Sequence, residues 1–223
     1  MAVSPLLKPA KGPLSPKLLK GGILTYPVNK PKQQHLIVFQ YNPELLSRSI
    51  AAQYLSSEQS RGAVSQRYKA PPIETITVQI EIDASDALQS GDSLAQKVGI
   101  HPMLSALALL AYPDSQSAID AKKSLENGSV LNIVSPPASM MTLFIWGDRR
   151  IVPVRVDGVE ITEQAYDPQL NPIRATASLK MTVLTYSDFD IDTDGFNTFL
   201  AYHTSLESMA NDARLATQVS AYS

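Results

Sequence analysis

Cysteine is absent from this 223-residue chain. No disulfide, thiolate zinc site, iron–sulfur cluster or cysteine nucleophile can be built from it, and the redox compartment stays open. Histidine is scarce. His35, His101 and His203 stand far apart in sequence and offer little to a metal. Long apolar runs are missing too: the longest, Met103 to Tyr112, holds about ten residues and is interrupted by Ser105, whereas a bilayer span needs roughly 20. The basic N-terminus is followed by no apolar stretch and cleavage site of the signal-peptide kind. The chain therefore reads as soluble, with no direct membrane insertion. No G-x-x-x-x-G-K-[ST], G-x-G-x-x-G or G-x-S-x-G pattern occurs, so neither phosphate loop nor nucleophile elbow is present. No enzyme activity and no cofactor are expected.

What is present can fold. Hydrophobic residues make up 44% and charged residues 18%, enough to bury a core in one large domain. A net charge of −2 argues against nucleic acid, which favours a basic domain. The average hides an asymmetry. Residues 1–43 contain six lysines (Lys8, Lys11, Lys17, Lys20, Lys30 and Lys32) and no Asp or Glu. The rest sets thirteen Lys and Arg against twenty-one acids, a net of −8. A basic arm thus precedes an acidic body. It is either a solvated tail or an arm that reaches across an acidic neighbouring copy.

Prolines 5, 9, 13 and 16 break helix and ladder alike, so residues 1–20 are read as an extended arm. Short strands are predicted at Ile23 to Pro27 and at His35 to Phe39, the second ending at Asn42-Pro43. Ser47 to Gln66 reads as a strand-like lead and then an exposed polar loop, with a docking arm over about Gln53 to Lys69, and Pro71-Pro72 as a stop. Ile76, Val78, Ile80 and Ile82 alternate with Thr75, Thr77, Gln79, Glu81 and Asp83, a strand of period two. A helical insertion over about 92–125 begins with Asp92 as a cap to Val98. Its second helix starts at His101-Pro102, carries Leu104, Leu107, Ala108 and Ala111 on one face and stops at Pro113. Residues 115–126 continue as polar helix or turn.

Strands follow at Val130 to Val134, Met140 to Trp146, Val152 to Thr162 and Ile173 to Tyr186. Asp157-Gly158 is a predicted bulge. In the last strand Ala175, Ala177, Leu179, Met181 and Val183 share one side, and Arg174, Thr176, Ser178, Lys180 and Thr182 the other. A C-terminal helix over 191–223 is capped by Asp194, with Phe196, Phe199, Leu200, His203, Leu206, Ala210 and Ala213 recurring at helical spacing. The fold class is α+β: a mostly antiparallel, barrel-like sheet over 21–190 with flanking helices.

Two features compete as sites. Asp190, Asp192 and Asp194 with Gly195 match the opening of a calcium loop, and a calcium-dependent binding module centred on loop 188–195 is the alternative function. The match lapses at Ala201, where a bidentate Glu belongs, so a cap on the helix is the plainer reading. His203 is expected as a packed core histidine. Trp146, the lone tryptophan, ends an apolar strand as a core residue or an interface anchor.

Phe39-Gln40-Tyr41-Asn42-Pro43 resembles the motif that closes an early strand in contractile injection system tube and baseplate adaptor proteins. Three further blocks follow in order: the strand Thr75 to Asp83; Pro136-Pro137 with Met141 to Trp146-Gly147; and Val152 to Leu184 with Asp167-Pro168 and Arg174-Ala175. Together they cover roughly residues 20–186. The resemblance, to the tube-initiator members in particular, implies a fold like the tube protein and a baseplate role. A homo-hexameric ring would join the spike hub to the inner tube, initiate tube assembly and touch other baseplate and sheath subunits. The particle would be assembled in the bacterial cytoplasm and remain there, be membrane-anchored or be released. Many such proteins carry a C-terminal LysM module where this chain ends in a helix at Ser223, so no glycan binding of that kind is expected.

Overall fold

In the computed structural model, residues 19–28, 30–55, 67–112 and 140–221 are described, together with Ser115, Ile119, Lys122, Lys123 and Glu126; side chains are described as far as Arg214. Seven strands form one antiparallel sheet. They are β1 (Gly22–Pro27), β2 (His35–Val38), β3 (Leu46–Tyr54), β4 (Tyr68–Asp83), β5 (Met140–Ile145), β6 (Ile151–Tyr166) and β7 (Pro172–Val183). Their order is β2-β1-β5-β6-β7-β4-β3. Helices α1 (Ser85–Gln89), α2 (Ser93–Val98) and α3 (His101–Ala108) follow β4, and a helix of 28 residues, Asp194–Ala221, closes the chain. The α+β class and the antiparallel sheet expected from the sequence are both present.

The core follows from strand parity. Ile76, Val78, Ile80 and Ile82 on β4 pair with Met181, Leu179, Ala177 and Ala175 on β7, and all eight are buried. Small alanines face bulky isoleucines, so the layer fills without overpacking. Each buried aliphatic side chain contributes about 1.5–3 kcal/mol through water exclusion. The predicted irregularity at Asp157 is real: the β6–β7 register shifts between Val156 and Gly158. One extra residue there keeps Val154 and Val156 on the same face as Val159 and Ile161, which simple alternation would have split. Ile100, Met103, Leu104 and Leu107, with Phe199 and Tyr202 of the C-terminal helix, complete the cluster.

The opposite parity is polar across four strands. Ser47 and Ser49 on β3 pair with Thr77 and Thr75 on β4. Thr75 to Asp83 then pair with Thr182, Lys180, Ser178, Thr176 and Arg174 on β7. The last four of these meet Gly158, Glu160, Thr162 and Gln164 on β6.

Several local expectations are corrected. β4 does not wait for Pro71-Pro72; it starts at Tyr68 and runs through them. The register opposite is broken between Ala51 and Gln53, so no ladder bond is demanded of either proline, and Gln53 Nε2 donates to the Pro71 carbonyl at 2.6 Å. The strand-like lead expected from Ser47 is β3, and it runs to Tyr54, past the expected start of the docking arm at Gln53. A short helix, α1, was not anticipated. α3 ends at Ala108 rather than at Pro113, because its last turn tightens: Leu110 and Ala111 donate three residues back, to Leu107 and Ala108. The N-terminal cap of the last helix is Thr193, whose hydroxyl accepts from Phe196 N–H at 3.4 Å; Asp194 is already helical. Asp92 caps α2 as expected, accepting from Leu94 and Ala95. The prolines of the N-terminal arm, the loop 56–66, Pro113, the strand 130–134 and Pro136-Pro137 lie outside the described residues.

Candidate assembly site

The motif at residues 39–43 is a clasp made of side-chain amides. Phe39 anchors it, buried to 2% exposure, with its N–H donating to the Gly21 carbonyl at 3.0 Å. A Cβ on Gly21 would lie 2.7 Å from the Trp146 ring and 3.1 Å from Phe39, so only glycine fits between the two. Trp146 is half-buried, packs against the core and stacks on Phe144 at 6.0 Å. Asn42 then ties the preceding strand: its Oδ1 accepts from Gly21 N–H at 3.0 Å, and its Nδ2 donates to the Leu19 carbonyl at 2.9 Å. Gln40 reaches the other way. Its Nε2 donates to the Asp83 carbonyl at 2.7 Å, and its Oε1 accepts from Asp83 N–H at 2.9 Å.

This geometry joins distant parts of the sheet. Gln40 follows β2, at one end of the strand order, and Asp83 ends β4, next to the other end. A primary amide presents an N–H and its C=O on the same side, matching the N–H and C=O that one strand residue offers a neighbour, so it substitutes for a ladder partner. Asp83 also receives Arg174 Nε at 2.8 Å and Ser85 N–H at 2.7 Å. Burial pushes the Asp83 carboxyl upward, but the hydrogen bonds from Ser85 and Arg174 prevail and hold it below the usual carboxylate range. Lys20 Nζ caps the clasp by donating to the Gln40 carbonyl at 2.6 Å.

The predicted motif residues thus divide. Phe39, Gln40, Asn42, Trp146 and Arg174 converge on Gly21 and Asp83. Tyr41 lies half exposed beside them; burial, with the Asp86 and Asp83 charges, raises its phenol. Pro43 follows as the chain leaves, and Ala175 is fully buried beside Ile82. Gly147, at φ +74, turns β5 into β6. Asp167 and Pro168 belong to a different place, the β6–β7 turn. There Asp167 is held low first by the Asn171 side chain, and also accepts from Gln169 and Asn171 N–H.

One cluster was not foreseen. Glu74 has core-facing parity and is buried, with its Oε1 2.7 Å from both Nε and Nη2 of Arg48. Arg48 Nη2 donates to the Tyr202 hydroxyl at 2.6 Å. β3, β4 and the C-terminal helix therefore meet at one charged pair. Its signal in the sequence was a lone Glu at a position where β4 otherwise places isoleucine or valine.

Among the described residues, the acidic loop included, no group of three or more His, Asp or Glu is placed to hold an ion. His203 is exposed rather than packed in the core. Its ring lies 6.5 Å from Tyr186 and 6.1 Å from Phe199, with Nε2 3.8 Å from Glu207. Among the described residues no helix is long and apolar enough to cross a membrane.

Two sheet edges remain. Among the described pairings β2 bonds only β1, and β3 bonds only β4. β4 before Thr75 has no β7 partner, so β3 and early β4 form a two-stranded ribbon beyond the main sheet. It carries exposed Ile50, Tyr54, Tyr68 and Ile73, the two tyrosines stacked at 5.1 Å. A two-stranded ribbon with open edges is marginal by itself, and its edges invite a further strand.

A family model described as contractile injection system tube protein matches residues 17–188. That match spans the clasp, both open edges and the polar sheet face, and stops short of the C-terminal helix. Comparison with curated proteins finds no match.

Proposed function

The chain belongs to the contractile injection system tube protein family, and from that premise we propose that it acts as the baseplate ring on which the inner tube is started. Six copies form a closed ring, seated between the spike hub and the first tube layer and contacted from outside by baseplate and sheath subunits. Particles are assembled in the bacterial cytoplasm. The observation that carries this reading is the pair of unfilled sheet edges, β2 at one end of the strand order and β3 at the other. Laying β3 of one copy beside β2 of the next fills both by one repeated heterologous contact, and such a contact closes into a ring when the rotation divides the circle. The four-strand hydroxyl- and amide-rich face suits a water-filled lumen, while the apolar face and its helices form the body of each subunit. The 1–20 arm, the 21–190 tube-like body and the 191–223 helix are the working units of this proposal.

Light scattering coupled to size exclusion, and negative-stain imaging of the protein with its tube subunit and hub, test it. Rings capped by stacked discs are expected. A chain that stays monomeric with both partners present would overturn the reading.

A further inference from the structure

The ribbon of β3 and early β4 runs past the sheet, and a single oxygen outside it ties both of its strands to the body. Tyr202, on the C-terminal helix, is 4% exposed, its ring tilted against Phe199 at 6.1 Å. Its hydroxyl accepts from Arg48 Nη2 at 2.6 Å and donates to Glu74 Oε1 at 3.4 Å, as one phenol oxygen can do at once. Arg48 belongs to β3 and Glu74 to β4. Beyond this tie, among the described residues, 50–54 and 68–73 bond only within the ribbon, through the strand ladder, Gln53 on the Pro71 carbonyl and the stacked tyrosines. Backbone continuity through β4 alone leaves a two-stranded ribbon free to twist.

We propose that Tyr202 is a positioning residue for assembly: its hydroxyl aims the ribbon, so that the β3 edge reaches the next copy already set for pairing. The lever is long. From Glu74 to Tyr68 the strand covers about 20 Å. A swing of about 10° at the root carries the tip about 3.5 Å, most of the roughly 4.8 Å between paired strands. A ribbon held in place before contact spares the ring the ordering that a loose one would require. Tyr202 and Glu74 are both buried, so neither touches a partner, and an effect on ring formation has to pass through the ribbon. The C-terminal helix thereby gains a part in assembly, although the match to the tube protein family ends at residue 188. The inference rests on the assembly reading above and deepens it.

Tyr202→Phe keeps the ring in the core and deletes only the hydroxyl. Amide exchange followed by mass spectrometry on the full-length monomer should quicken several-fold over 48–54 and 68–74 and match wild type over 175–183. Light scattering along a dilution series should find rings only at several-fold higher concentration. Exchange that quickens equally in the ribbon and in β7, or in neither, would overturn the proposal and leave Tyr202 a packing residue. So would a loosened ribbon with an unmoved ring threshold. A wild-type chain that forms no rings even with tube and hub subunits, yet loses ribbon protection in Tyr202→Phe, would sink the ring reading and uphold Tyr202 as the anchor of the ribbon.

Discussion

Gln40 closes its side-chain amide on both backbone polar groups of Asp83, donating at 2.7 Å and accepting at 2.9 Å. The two residues lie 43 positions apart, Gln40 just after β2 at one end of the strand order and Asp83 on β4, one strand in from the other end. Replacing Gln40 by Glu keeps the acceptor and removes the donor. Gln40→Leu removes both and strands the Asp83 backbone. We expect Gln40→Glu to cost about 1 kcal/mol and Gln40→Leu about 2–3 kcal/mol, read as a shift in urea midpoint at constant slope. Equal midpoints for wild type and Gln40→Leu would show that the clasp holds nothing.

Most of the sheet was legible because β4 and β7 bury one face and leave the other wet, and period-two burial is what alternation reports. The clasp was legible only as a resemblance at Phe39 to Pro43. Nothing local in Gln40 says that its partner is Asp83, because the contact depends on how seven strands bend. Pro71-Pro72 misled for the same reason: a proline forbids a ladder bond, but whether one is demanded depends on a break in the partner strand. His203 shares the helical period of Phe196, Phe199 and Leu206, yet it is exposed. The buried side runs through Phe199 and Tyr202 instead.

The Arg48–Glu74 pair holds β3, β4 and the C-terminal helix together, with Glu74 retaining 8% side-chain exposure and Arg48 23%. Glu74→Ala leaves the guanidinium half-sequestered without its counter-charge. It should cost about 3 kcal/mol, the low end for a broken buried pair, since Arg48 keeps some water. Arg48→Met/Glu74→Leu should recover most of that loss, and urea unfolding of the four-member cycle measures the coupling. A double variant as unstable as Glu74→Ala would refute the charge account and leave only packing.

Asp83 ties the clasp to pH. Its folded carboxyl titrates below its ordinary value of about 3.9, so its contribution is complete above that pH and is lost as pH falls through the lowered folded value. Asp83→Asn should therefore lower the Tm at neutral pH, and the gap to wild type should narrow below about pH 4. Thermal melts from pH 7 to pH 2 check this, and a gap that stays constant to the acid limit would count against it.

Ile50 separates assembly from folding. It faces Glu74 across the ribbon, with the parity of the core, yet it is 57% exposed because the ribbon runs past the body of the sheet. A lysine there can turn to solvent, and the acid opposite it, Glu74, is already held by Arg48, so monomer stability should change by no more than about 0.5 kcal/mol. In the ring, β3 is the strand that receives the next copy, and a charge on its apolar side is the device by which natural edge strands refuse a partner. Ile50→Lys should thus leave the Tm unaltered and abolish rings in light scattering, with Ile50→Val as the assembling control. If Ile50→Lys still forms rings at wild-type concentration, the β3 edge is not where copies meet, and the contact must be sought at the helices.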